Sequence, residues 1–508
     1  MNTRAVVEPG RAAASTRRPQ DPEAPESKEE SLDPEDWTAL RSLGHRMVDD
    51  VLEYLRTVRE RPVWQSPPDD VRARQRKPAP REPEGADQAY RDFVRDVLPY
   101  PSGNIHPRFW GWVMGTGTPL TVLSEMLAAA VNPNVSGFDD GAVLVEEQVL
   151  AWLKELLGFP ATGRGLLVTG GSMANFVGLA VARHAGAGFD VRRLGQGGAA
   201  RGMTLYASRE THNSVGRAVE LLGLGREALR LVPVDSDYRI DLRALAEAIA
   251  ADRAAGQQPF AVVGNAGTVN TGATDDLGAL ADLCEREKLW LHVDGAFGAL
   301  LALTPTLRSQ VAGMERADSL AFDLHKWGYF PYEVGCTLVR DGARQREAFA
   351  AAADYLTPVD GGVAGRKDRF ADYGPQLSRG FRALKVWMGL KAEGSNKLGR
   401  LIEQNVDQAA YLASLVDRRP ELERLAPAPM NIVCFRYVGD PRREGDLDAH
   451  NRAILVRLHE DGIAVPSYTS LGGRFALRVA ITNHRTRRED LELLVAETVR
   501  LGREIDAQ

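Results

Sequence analysis

The chain is predicted to be an α/β protein: a largely parallel sheet, then a smaller α+β domain. Three observations carry this reading. From about Gly165, short apolar segments alternate with helical ones, the pattern of strand–helix–strand units. The strand segments are nearly continuous apolar runs, as expected where helices cover both faces of a sheet. Polar residues collect just past the strand ends, where open α/β sheets bind ligands.

The elements follow in chain order. Residues 1–32 carry Pro9, Pro19, Pro22 and Pro25, many charges and no aromatic residue, the composition of a disordered tail. Residues 33–110 read as a helical and wrapping segment. Its helix is marked by Leu40, Leu43, Met47, Val51 and Leu55 at three- and four-residue spacing. Residues 111–385 form the predicted large domain, with strands in "GLLVTGG", "MTLYAS", "ALRLVPV", "FAVVGNAG", "LWLHVDGA", "SLAFDL" and "GCTLVR". Residues 386–508 form the small domain, with strands in "NIVCFRYV" and "RFALRVAI".

Composition narrows the function classes. A net charge of −6 gives no basic face for nucleic acid or an anionic membrane. Three scattered cysteines without a CxxC argue against a disulfide framework or a thiolate zinc site and fit a reducing cytosol. No apolar run reaches the roughly 18 residues of a membrane span, and the polar start shows no secretory segment.

Four groups at strand ends point to chemistry. In "VTGGSMANFVGLAVARHA", Gly170, Gly171 and Ser172 lead a strand into a helix, a start that can bind phosphate and can equally be a plain turn. The spacing matches neither GxGxxG nor GxxxxGK[ST]. Asp294 ends an apolar strand; it is either a helix cap or the partner of a protonated heterocyclic nitrogen. Lys326 ends another, either snorkelling or held with a lowered pKa for Schiff-base formation. His212 is either a helix-start residue or a ring stacked on a cofactor. A phosphate-binding helix start, an aspartate and a lysine are the three protein parts that pyridoxal phosphate needs. His292 and Asp294 stand two apart, but no further ligands accompany them, so no metal is expected.

With "HPRFWGWV", "GGSMAN", "THNSV", "GTVNTGATD", "HVDGAFGA", "DLHKW" and "SRGFRALKVW", the chain resembles the pyridoxal-phosphate-dependent group II amino-acid decarboxylases from about Asp33 onward. These include aromatic-L-amino-acid, glutamate and 2,4-diaminobutyrate decarboxylases. The resemblance implies fold type I, like aspartate aminotransferase: a mixed seven-stranded sheet and an obligate homodimer with active sites at the interface. It implies Lys326 as the Schiff-base lysine, Asp294 at the pyridine nitrogen, Ala296 against the ring and His212 stacked on it. Gly170, Gly171, Ser172 and His325 fall at the phosphate, and Thr268 in a turn beside the cofactor. Tyr355 matches a mobile-loop tyrosine that reaches the partner subunit's site, and Tyr355 or a nearby group is expected to protonate Cα.

The implied reaction is decarboxylation of an L-amino acid to an amine, with an aromatic or apolar substrate suggested by Trp110 and Trp112, which core packing explains equally well. The alternatives are oxidative deamination to an aldehyde, action on glutamate or 2,4-diaminobutyrate, and a cofactor-binding scaffold. Tyr355 and His212 favour simple decarboxylation. Three residues depart from the family pattern: Leu324 for proline, Val269 for a hydroxyl residue, and Gly115 where a threonine is expected near the substrate carboxylate; Asp323, beside Leu324, would be unfavourable near the phosphate unless it bonds elsewhere.

Overall fold

The computed structural model describes residues 30–198, 202–351, 360–439 and 446–507. The tail expected over residues 1–32 lies almost wholly outside the described residues. The chain divides into two compact units, 1–51 and 52–508. In the first, Asp36 caps the helix Trp37–Arg56 by accepting from the N–H groups of Thr38 and Ala39 at 2.8 and 3.0 Å. Leu40 and Met47 of its apolar stripe are exposed.

The second unit holds two sheets. Its first strand is β1 (Phe109–Trp110). The large sheet contains β2 (Arg164–Val168), β3 (Met203–Ser208), β4 (Leu229–Val232), β5 (Gln258–Asn265), β6 (Trp290–Asp294), β7 (Ser319–Asp323) and β8 (Gly335–Val339). Their order is β2-β8-β7-β6-β5-β3-β4. Strands β3 to β7 pair parallel, while β8 runs antiparallel to both neighbours. The sheet is therefore mixed. The cause is local: β7 returns directly into β8 with no helical crossover, and such a return can only be antiparallel. Leu167, Val168, Val262, Val293, Leu320 and Phe322 are fully buried, which explains the unbroken apolar runs. The helix Gly171–Gly186 lies across β5 to β8.

The β7–β8 return carries Lys326 and is tightly fixed. The N–H groups of Leu324 and His325 both donate to the Val334 carbonyl at 3.1 Å. A proline at 324 could not make that bond, and the Leu324 side chain packs into the core. Trp327 and Tyr329 are buried, and their Nε1–H and hydroxyl both donate to Asn405 Oδ1, at 3.0 and 2.8 Å. Trp327 is thus a core anchor beside the lysine.

The small sheet has β9 (Leu422–Arg424), β10 (Ile432–Tyr437), β11 (Val465–Leu471) and β12 (Arg474–Ala480), in the order β1-β11-β12-β10-β9. Phe109 and Trp110 pair parallel with Val465 and Pro466. A segment that precedes the large sheet in the chain thereby completes the small one.

Replacing Asn405 with leucine leaves two buried polar tips without an acceptor. The expected cost is about 1–3 kcal/mol for each group left unpaired, read as a lower urea midpoint at unchanged cofactor-independent fold by circular dichroism.

Candidate active site

The sheet register brings the polar strand ends together. Asn265 pairs with Asp294, Asp294 with Ala321, and Asp323 with Gly335. At this rim a cavity of about 220 Å³ opens. His212, Asp294, Ala296, Phe297 and Lys326 line it from the large sheet; Trp112, Ser467, Tyr468 and Arg478 line it from the β1–β11–β12 side. The roomier surface groove over Arg239, Asp276 and Arg316 contains neither histidine nor lysine.

Lys326 Nζ lies 2.8 Å from Asp323 Oδ2, whose side chain has no exposed surface. Burial disfavours the ammonium, but the charges of Asp323 and, farther off, Asp294 outweigh it and hold the amine above the ordinary lysine range. The expected lowering of the Lys326 pKa is therefore corrected: reading the lysine alone omitted its carboxylate neighbour three residues back.

Asp323 Oδ1 has no hydrogen-bond donor among the described residues. Glycines wall the carboxylate. A β-carbon on Gly171 would lie 2.8 Å from Asp323 Oδ2, and one on Gly335 would lie 2.7 Å from Oδ1. A β-carbon on Gly170 would stand 3.0 Å from the His325 ring. Gly170 caps the helix that Gly171 and Ser172 begin, so its first N–H groups, which have no intrahelical partner, face this crowded corner. His325 Nδ1 accepts from the Val334 N–H at 3.1 Å, leaving the neutral ring's proton on Nε2. Burial pushes the His325 pKa down. The Tyr332 ring, missed in the sequence, sits 4.3 Å from the His325 ring centroid.

Asp294 is buried; its Oδ2 accepts from Asn175 Nδ2 at 2.8 Å and its Oδ1 from the Ala296 N–H at 3.0 Å. His212 caps the helix Asn213–Leu221, its Nδ1 bonded to the Ser214 hydroxyl at 2.8 Å and N–H at 3.2 Å. Burial lowers its pKa, against the opposing charge of Asp294. Thr268 is fully buried, with its hydroxyl on Thr271 at 3.1 Å, while its neighbours Gly267 and Val269 line the cavity. Tyr355 lies outside the described residues.

The tryptophans part company: Trp110 is buried in the core of the small sheet, and Trp112 stands half-open at the cavity. Gly115 is not a vacant side-chain position. A β-carbon there would lie 2.1 Å from the His325 carbonyl oxygen, so this stretch must present bare backbone to the lysine turn. Arg382 pairs with Glu333 at 2.9 Å, on the lysine return.

Arg478 is the residue that sequence reading missed. It is buried, and its guanidinium donates to the carbonyls of Trp112, Val269 and Asn270 at 2.7, 2.6 and 3.1 Å and to the Ser467 hydroxyl at 3.2 Å. Burial brings its pKa down to about 10. An arginine inside the apolar run "RFALRVAI" was the available signal.

A family profile described as the pyridoxal-dependent decarboxylase conserved domain matches residues 68–438. The chain belongs to the pyridoxal-dependent decarboxylases. It is 32% identical to an aromatic-L-amino-acid decarboxylase of Bacillus atrophaeus, over 92% of this chain and 96% of that protein. It is 30% identical to a phenylacetaldehyde synthase of Arabidopsis thaliana, over 89% and 93% of the two chains. Oryza sativa TDC, solved with PLP and tryptamine, superposes with a TM-score of 0.85 at 28% identity, over 94% of this chain and all of that one. The fold is thus type I.

The cofactor of this decarboxylase family is pyridoxal phosphate, and the residues present fit it. The glycine-walled helix start admits no side chain, the Asp294 carboxylate opens on the cavity, and a lysine stands between them. Replacing Asp323 with asparagine removes the charge that keeps Lys326 protonated, so more free amine is present at neutral pH. In the decarboxylase stripped of cofactor, acylation of Lys326 should then accelerate, roughly tenfold for each pH unit by which its midpoint falls. Peptide mass spectrometry against labelling time reads this.

Proposed function

We propose that this enzyme decarboxylates an L-amino acid with an aromatic or apolar side chain, releasing the amine and CO₂. The convergence of Lys326, Asp294 and His212 on one cavity carries the reading. Pyridoxal phosphate, when bound, supplies the sink for the electron pair left as CO₂ departs. The Gly170–Ser172 helix start and the His325 Nε2–H would hold its phosphate. Asp294, an acceptor at both oxygens, would keep a proton on the ring nitrogen. Ala296 and His212 would hold the ring, and Thr268 would stiffen the turn nearby. Lys326 would be the covalent anchor and later a proton carrier at Nζ. Tyr355 or a nearby group would deliver the proton to the substrate's Cα.

The substrate class is argued from the walls. Val113, Phe297 and Tyr468 offer apolar surface beside Trp112. Arg478 is the natural partner for an acidic side chain, but its four hydrogen bonds to protein oxygens use all but one of the five N–H groups a guanidinium carries. This favours an apolar substrate over glutamate. The relatives agree, since their names include aromatic-L-amino-acid and tryptophan decarboxylases. The phenylacetaldehyde synthase relative keeps aldehyde formation as the second reading.

A second copy of the chain is the proposed partner. The helices Pro119–Val131 and Gly141–Leu156 both pack on Ala383–Glu393 and leave Met126, Leu127, Val131 and Leu144 exposed, an apolar face that association would cover. Three buried free cysteines fit work in a reducing cytosol.

Purified enzyme given aromatic amino acids should release amine and CO₂ in equal amounts without peroxide; aldehyde with peroxide would select the second reading. Lys326→Ala should reduce CO₂ release to background. Light scattering should give twice the 55.5 kDa chain mass.

A further inference from the structure

Behind Asp294 runs a line of buried polar groups that the reaction above does not use. Trp290 Nε1 lies 2.8 Å from Ser319 Oγ, and Ser319 Oγ lies 2.8 Å from His292 Nδ1. His292 Nε2 lies 2.9 Å from Asn175 Oδ1, and Asn175 Nδ2 reaches Asp294 Oδ2 at 2.8 Å. The same Nδ2 also meets Ser214 Oγ at 3.0 Å, and Ser214 bonds His212 Nδ1.

The directions follow from the Asp294 end. Asp294 accepts at both oxygens, so Asn175 turns its Nδ2 to Oδ2 and its Oδ1 to His292. His292 Nε2 then donates, and in the neutral ring Nδ1 accepts from the Ser319 hydroxyl, which itself accepts from the Trp290 N–H, a group that only donates. The second Nδ2 proton goes to Ser214 Oγ, whose own proton is left for His212 Nδ1. That nitrogen also accepts from the Ser214 N–H, so the proton of the neutral His212 ring sits on Nε2. Burial pushes the His292 pKa down to about 4, in keeping with a neutral ring. The helix makes room for it: a β-carbon on Gly178 would stand 2.6 Å from His292 Cε1.

We propose that Asn175 is a positioning residue that orients Asp294 and His212 together, with His292, Ser319 and Trp290 as the one-way relay that fixes its amide. Donation to Asp294 stabilises the ionised form, and donation to Ser214 Oγ aims that hydroxyl's own proton at His212 Nδ1, beside the Ser214 N–H. This rests on the reading of Asp294 as the ring-nitrogen partner.

The test uses holoenzyme loaded with cofactor ¹⁵N-labelled at the pyridine nitrogen and ¹⁵N-labelled histidine. Wild type should show a protonated ring nitrogen and a single His212 Nε2–H tautomer. Asn175→Ala should lose part of the protonated-ring signal and shift the His212 Nδ1 resonance, with the tautomer still held as Nε2–H by the Ser214 N–H. His292→Gln, which keeps a donor toward Asn175, should preserve both signals, whereas His292→Leu should not. A folded Asn175→Ala enzyme with wild-type shifts overturns the proposal. If that variant does not fold, Ser319→Ala decides, since it releases the His292 tautomer: unchanged shifts there overturn the relay. Asp294→Asn separates the premise. If it shifts the ring signal and the relay variants do not, the relay alone fails; if it leaves the signal unchanged, the Asp294 reading falls and the proposal with it.

Discussion

A carboxylate with no exposed surface ends the central strand β7, and the arrangement around the cavity depends on how that charge is met. Removing one partner of a buried ion pair typically costs about 3–5 kcal/mol, so Asp323 needs a cation close by. Lys326 supplies it, at 2.8 Å, and the neutral His325 ring stands farther off, its Nε2 at 3.9 Å. Meeting it bends the chain back at once after β7. The bend leaves no space for β-carbons at Gly170, Gly171 and Gly335, and it requires an N–H at Leu324. A strand end, three glycines and the N–H of Leu324 thus meet around one buried charge.

The other side of the cavity is held by a second buried charge. Arg478 reaches from β12 to backbone carbonyls of Trp112 and of the turn after β5. These come from three distant parts of the chain, so one guanidinium joins the β1 segment, the large sheet and the small sheet. Val269 contributes here through its carbonyl. The wall so formed is mostly apolar, while polar groups concentrate on the opposite rim, the asymmetry expected of a site that orients a substrate by a few groups and excludes water elsewhere.

Much of this was legible in the sequence, for identifiable reasons. All seven strands of the large sheet were expected: the inner strands because a doubly covered strand must be apolar throughout, and the edge strand β4, with Leu231 exposed, from its apolar run alone. β1, β9 and β11 were not, because two- and three-residue strands and the mixed run "VPSYTSL" take their geometry from distant partners. Lys326, Asp294, Ala296 and His212 stood out as polar or small residues at the ends of apolar runs, and they do line one cavity. Asn175 did not stand out, and His292 was weighed only as a metal ligand, since the bond between them spans 117 residues of chain. The direction of the Lys326 shift was misjudged because charge pairing is a property of distance, not of sequence type. Gly115 was taken for a lost side chain where backbone contact forbids any.

The central claim is that the β7–β8 return presents Lys326 as the covalent anchor of the cofactor. Borohydride reduction of the holoenzyme, followed by proteolysis and peptide mass mapping, tests it directly. The account predicts a pyridoxyl-phosphate mass on Lys326 and on no other lysine. A label on another lysine, such as the buried Lys385 that pairs with Glu125, would contradict it.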